Sequence, residues 1–295
     1  MNIWRSLTVS EYGGLQRAWG EDVVDTGGCW WRQVRPCFYR PVFPLQEVDP
    51  NSGALPILSP VGGAQYLVPT GCTSNSSLTF LIFPEAQRYS IGSLAKARRY
   101  DVRLASRCFE VRRPESADEF VVKGHAAYCS IFQRTRYSFR SDRVNVARFR
   151  AWAETFYGNS GIDVWCAYQG QDIKAVFVGV WVGARLVYSI FFASAQALKL
   201  GVSDLMLHSL RQEAARQPGI TSIQAAKSGM DRGLDQFYLL RGATPVSYPA
   251  WLQINPVAAL LLRLAAPGIY ARTGASDNDN TEMSDPRGSS RCDGM

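Results

Sequence analysis

The sequence holds only two histidines, His125 and His208, and none of its seven cysteines belongs to a C-x-x-C pair. With no H-E-x-x-H, no paired C-x-x-C and no histidine-rich tract, nothing has the spacing of a zinc site, and no metal is expected. A serine hydrolase is disfavoured in the same way. No G-x-S-x-G elbow carries a nucleophile, and each histidine reads as a satisfied helix residue. Lys227-Ser228 lacks the upstream glycine of a P-loop, which excludes nucleotide hydrolysis of that type. No G-x-G-x-x-G follows a strand, so a dinucleotide domain is not expected. The odd cysteine count, and the lack of an apolar stretch behind Asn2-Ile3-Trp4-Arg5, point to reduced thiols and a cytoplasmic location. The longest apolar region, 173–193, contains Lys174, Arg185 and a Gly-Ala-Arg interruption. Its β-branched and aromatic content suits strands better than a membrane span.

What is present supports a large core: 46% of the 295 residues are hydrophobic and 12% aromatic, enough for two ordinary domains or one large one. The net charge of +7 favours anionic partners such as phosphates, nucleotides, nucleic acid or an acidic membrane surface. Residues 1–90 read as a separate strand-rich unit, with Pro36 and Pro41 suited to edge strands and 78–83 to a buried strand. Lys96, Arg99, Arg103 and Arg107 then step by 3, 4 and 4 along one helical face. That face is either plainly solvated, a phosphate-binding rim, or a nucleic-acid contact. Two amphipathic helices follow, the second capped by Asp142.

The stretch 162–226 organises the rest. It reads as strands at 162–167, 173–182 and 186–193, a helix capped by Ser203, and a strand at 220–226. A short helix over 231–240 turns Leu234, Phe237 and Tyr238 inward, and 246–254 is a last strand containing Pro249. An apolar helix over 257–266 is expected to dock on the protein, with a membrane surface as the alternative; the tail from 273 is polar and expected to be disordered.

Three stretches then carry a resemblance: the basic helix running into Cys108-Phe109-Glu110-Val111-Arg112-Arg113, the segment from Tyr128-Cys129-Ser130 to Arg136, and Leu234-Asp235-Gln236-Phe237-Tyr238 leading to Arg241-Gly242-Ala243. Their order resembles the Gcn5-related N-acetyltransferase (GNAT) fold and, more narrowly, the FemAB-like acyltransferases (the BioF2-like acetyltransferase group), which carry two such units in tandem. The resemblance implies an α+β fold with a mixed, mostly antiparallel sheet flanked by helices. Residues 91–256 would form the acyltransferase unit, 1–90 a degenerate first unit, 257–272 a short apolar helix and 273–295 a tail.

It also implies a cytoplasmic enzyme that transfers an acyl group from acyl-CoA, or alternatively aminoacyl-tRNA, to an amine or hydroxyl of a sugar, nucleotide-sugar or cell-envelope precursor. Phe192, Ala193, Lys199, Gly201, Val202 and Ser203 would bind the donor, although Leu198 stands where GNAT enzymes favour a Gln or Arg. Tyr188, Tyr238 and Asp235 become candidates for acid, oxyanion donor and base, with Asp163 a second candidate base. Tyr128, Arg134, Arg136, Lys227 and Ser228 become candidate acceptor contacts, and Arg99, Arg103 and Arg107 a rim for an anionic ligand. The alternative is a non-catalytic polyanion-binding protein with peripheral membrane contact and no transmembrane segment.

Overall fold

The computed structural model describes residues 5–134, 140–229 and 231–265. Arg136 and the tail from 273 lie outside the described residues. Helix α1 (Val9–Ala18) opens on a capping box in which Thr8 and Glu11 satisfy each other's amides. Strands β1 (Val23–Thr26), β2 (Cys29–Arg35), β3 (Phe38–Pro41), β4 (Gly63–Leu67) and β5 (Ser76–Phe83) follow. Next come α2 (Lys96–Ala105), β6 (Glu110–Arg112), α3 (Ala117–Arg134) and α4 (Val146–Tyr157). The chain then forms β7 (Ile162–Gln169), β8 (Asp172–Val182), β9 (Arg185–Ala193), α5 (Ala195–Lys199) and α6 (Val202–Arg216). It finishes with β10 (Ser222–Lys227), α7 (Arg232–Leu239), β11 (Thr244–Ile254) and α8 (Pro256–Ala265).

All eleven strands join one sheet in the order β1-β2-β3-β4-β11-β5-β10-β9-β8-β7-β6. Pairing is antiparallel except at β3–β4 and β9–β10. Because β5 lies between β10 and β11, the sheet passes from the first 90 residues into the rest without a break. Pro245 and Pro249 fall in the half of β11 that precedes its pairing with β4, where a missing N–H disturbs the ladder least. One sheet face packs on α1, α3 and α4 through Tyr12, Phe120, Tyr128, Phe149 and Trp152. The other packs on α2, α6 and α7 through Val102, Phe177, Met206, Leu210 and Tyr238.

Several local expectations are corrected. Ser203 does not cap α6: the chain enters through Gly201 at φ 77°, a left-handed conformation that favours glycine, and Ser203 already lies in the first turn. Asn145, not Asp142, caps α4, accepting from the amides of Ala147 and Arg148; Asp142 belongs to the preceding short turn. Leu234 is exposed rather than inward, since only Phe237 and Tyr238 on α7 reach the core. On helix α8, Val257, Leu260 and Leu264 are 66%, 57% and 75% exposed, while Ala258 and Ala259 are half-buried. Among the described residues no helix is long and apolar enough to cross a membrane.

Candidate active site

The parallel pair β9–β10 is joined only at Ser222–Gln224 against Arg185–Val187. Past that point both strands carry an extra residue in their antiparallel ladders, Ser189 in β9 against β8 and Ala225 in β10 against β5. A bulge bends its strand and raises the local twist, so two bulges at the same level turn the strands away from each other. The result is a wedge that opens toward their C-terminal ends, with backbone groups of β9 left outside the ladder.

Tyr188 on β9 and Tyr238 on α7 meet across this wedge, edge to face at 5.9 Å. Phe177, Phe191, Phe237 and Phe83 surround them. Burial raises both phenols above their ordinary pKa, and for Tyr188 the neighbouring Tyr238 adds to the rise. No hydrogen bond to either hydroxyl is found among the described residues; Tyr238 is buried and Tyr188 half-buried. A packed tyrosine normally spends its hydroxyl on a partner; these two hydroxyls are available to a ligand.

Asp235, one turn before Tyr238, is a brace. Its Oδ2 accepts from the Ser228 hydroxyl at 3.0 Å and the Gly229 amide at 2.7 Å, fixing the turn from β10 into α7. Its Oδ1 is buried without a partner among the described residues. Ser228 is thereby committed to Asp235. Lys227 projects to the opposite sheet face, since it pairs with Phe80 of the core on the α1 side. Burial, with the charge of Arg40, lowers its pKa to about 8.

At the open end of the wedge, Ser194 caps α5, and Gly201 leads into α6 with no side chain capping its first turn. The amides there face the position where an anion binds a helix N-terminus. Lys199 is exposed nearby, while Val202 is fully buried. A Cβ on Gly201 would stand 3.8 Å from the Asp101 carbonyl and from Ala105, so α2 flanks this turn. Arg99 and Arg103 on α2 are half-buried and exposed, and Arg107, two residues past its end, is exposed, so these cations lie on or beside the helix that flanks the turn. Phe192 turns away, its ring edge-on to Tyr128 at 5.3 Å, and Ala193 is buried; only their backbone can meet a ligand.

Other predicted residues are not brought to the wedge. Tyr128 is a core residue whose hydroxyl donates to the Arg140 carbonyl at 2.8 Å. Asp163 is fully buried and held by Arg113 at 2.9 Å; burial raises its pKa and the guanidinium offsets part of the rise. Arg113 also bonds Glu213, and Arg112 bonds Glu119, so both are structural. Arg134 is exposed at the end of α3. His208 bonds the Tyr89 hydroxyl at 2.8 Å and His125 packs on Phe149, as satisfied helix residues do.

The sequence reading missed one pair that shapes the site. Arg241 makes two 2.7 Å bonds to Asp204 in the first turn of α6, donates to the Phe237 carbonyl, and lies over the Phe237 ring. It ties α7 to α6 beneath the wedge. Only the arginine in the Arg-Gly-Ala turn hinted at it.

No family model matches the chain, and no curated protein matches it. Solved structures do. FemX aligns over 89% of this chain and 99% of its own, at 10% identity and a TM-score of 0.54. The chain shares its fold with FemX. The C-terminal domain of a protein named as a lysylphosphatidylglycerol synthetase of Agrobacterium fabrum aligns over 88% and 93%, at 12% identity and 0.53. A conserved protein of unknown function from Bacteroides thetaiotaomicron aligns over 86% and 100%, at 11% and 0.53. At such identities the likeness establishes the mixed α+β fold alone.

Two open concavities lie away from the wedge. One, of about 550 Å³, is lined by Arg113, Tyr157 and Ile162; the other, of about 850 Å³, by Tyr66, Cys72 and Trp251. The wedge itself is occupied by its own aromatic side chains.

Proposed function

We propose that the chain is an acyltransferase that passes an acyl group from a coenzyme A thioester to an amine or hydroxyl acceptor. The observation that carries this reading is the double-bulged divergence of β9 from β10, ending at the uncapped turn of Gly201 with two unpartnered phenols inside. Such a wedge offers β9 backbone to a pantetheine amide and helix amides to a pyrophosphate. Lys199 and the cations of α2 would add charge for the outer phosphates.

In the reaction the acceptor's nitrogen or oxygen attacks the thioester carbonyl and gives up its own proton to solvent, the carbon–sulfur bond breaks, and the thiolate takes a proton. Tyr238 would supply that proton and Tyr188 would donate to the developing oxyanion; a phenol kept neutral by burial is suited to both. Asp235 positions Tyr238 through the turn it braces. The acceptor class is a sugar, nucleotide-sugar or cell-envelope precursor, in keeping with the lysylphosphatidylglycerol synthetase named among the similar structures. Aminoacyl-tRNA is the alternative donor.

Thermal unfolding with and without donors tests the assignment. Acetyl-CoA, and longer acyl-CoA thioesters, are expected to raise the midpoint by several degrees at concentrations well above Kd. If neither a CoA thioester nor an aminoacyl-tRNA shifts it, the donor assignment fails.

A further inference from the structure

Over β2, β3, β4 and β11 the residues packed on one sheet face come from strands and a loop, not from a helix: Val48 and Leu55 lie against Trp31, Tyr39, Tyr66 and Trp251. The open concavity of about 850 Å³ is on this stretch, lined by Asn51 of that loop, the turn at Gly71–Thr73, and Tyr66, Trp251 and Gln253 of the strands. Tyr66 and Trp251 are directly opposite partners on β4 and β11, so their rings rise from the same face. Gln253, two residues further along β11, rises beside them. Its volume is that of a small-molecule site.

Both rims are pinned to the strands beneath them. Asn75, just past the turn, donates from its amide nitrogen to the Leu252 carbonyl at 2.9 Å and accepts from the Leu252 amide at 2.7 Å. On the other side the Val48 amide donates to the Leu67 carbonyl at 2.8 Å. Trp31 meets Tyr66 edge to face at 5.6 Å and holds its ring. None of the ten lining residues is charged, and the carboxylate of nearby Asp49 accepts from the Asn51 amide at 2.8 Å. Tyr66 is 1% exposed, yet no hydrogen bond to its hydroxyl is found among the described residues. Burial pushes its pKa up to about 12, which keeps it a neutral donor. The side chains of Asn51, Thr73 and Gln253 likewise show no hydrogen bond among the described residues.

We propose that this concavity binds a neutral pyranose sugar, with the C–H face of the sugar laid on the Trp251 ring and its hydroxyls bonded to Tyr66, Asn51, Thr73 and Gln253. The negative face of an indole attracts polarised C–H groups, and the apolar side of a pyranose supplies a flat set of them. Two amides and two hydroxyls both give and accept hydrogen bonds, as sugar hydroxyls require. An anionic ligand would find no cation in the lining. A purely apolar one would leave the Tyr66 hydroxyl buried and unpaired, at a cost a sugar hydroxyl removes. This site stands whether or not the chain transfers acyl groups.

Binding is measured on the full chain, without any acyl donor, by calorimetry and saturation-transfer NMR with methyl β-glucoside, N-acetylglucosamine and chitobiose. Mannitol, which has the hydroxyls without the ring, and uridine are run as controls. At least one of the three sugars is expected to bind saturably, with its ring C–H protons receiving the magnetisation, while mannitol does not bind. Trp251→Leu is expected to weaken that binding about tenfold or more, the worth of an aromatic face. Tyr66→Phe and Gln253→Ala are each expected to weaken it about three- to tenfold, the worth of one hydrogen bond. These two milder variants carry the test if Trp251→Leu fails to fold. Absence of saturable binding by all three sugars, equal binding of mannitol, binding of uridine alone, or undiminished sugar binding in the variants overturns the proposal.

Discussion

Tyr188 and Tyr238 meet at 5.9 Å with both hydroxyls unpartnered among the described residues, and burial keeps both protonated at neutral pH. If Tyr238 protonates the leaving thiolate, Tyr238→Phe should lower kcat about 100-fold with little change in donor KM, the range typical of a lost general acid. The phenylalanine keeps the ring contact with Phe83, so the unfolding midpoint should hold. Lys227 makes a prediction in pH. Its amine titrates near 8 in the folded chain, against about 10.4 in the unfolded one, so the unfolded state binds more protons between those values. Stability therefore rises with pH across that window. Urea titrations at pH 7.5 and 10 should show the rise reduced in Lys227→Met by about 1–3 kcal/mol, the upper end being the undiscounted shift for a half-buried group. These tyrosines and this lysine were legible because each sits on, next to, or one helix beyond a strand of the central unit. Their neighbours were not. Whether a phenol is partnered, or which face a lysine takes, depends on bulges that no local pattern encodes.

The elements around the wedge were mostly readable, because strands rich in valine and phenylalanine and helices of apolar period announce themselves. The failures lie at their ends. Ser203 is a good capping residue by type, but Gly201 takes the left-handed turn and puts the cap of α6 two residues earlier. Arg241 and Asp204 are 37 residues apart in sequence and nearly fully buried together, so neither element alone reveals the pair. Breaking it should be costly: Arg241→Ala leaves a buried carboxylate with only Arg98, 4.0 Å away, beside it. The expected loss is about 3 kcal/mol, read as a lower midpoint in urea, and Asp204→Leu combined with Arg241→Met should recover much of it. Equal destabilisation by the single and double variants would show that the pair does not act as a unit.

Across the whole molecule, one sheet separates two chemistries. The face packed by α2, α6 and α7 holds the phenols and lies toward the turn of Gly201; the face packed by α1, α3 and α4 holds Lys227. The mixed sheet with flanking helices was legible from the order of elements. The threading of β5 between β10 and β11 was not, because it joins residues about 150 apart in the chain through backbone hydrogen bonds that carry no side-chain signature. The central claim is that a donor lies in the wedge between β9 and β10. Hydrogen–deuterium exchange with and without acetyl-CoA addresses it most directly. Slower exchange is predicted at the amides of 188–193 and of Val202 and Ser203; unchanged exchange there, with protection confined to α2, would contradict it.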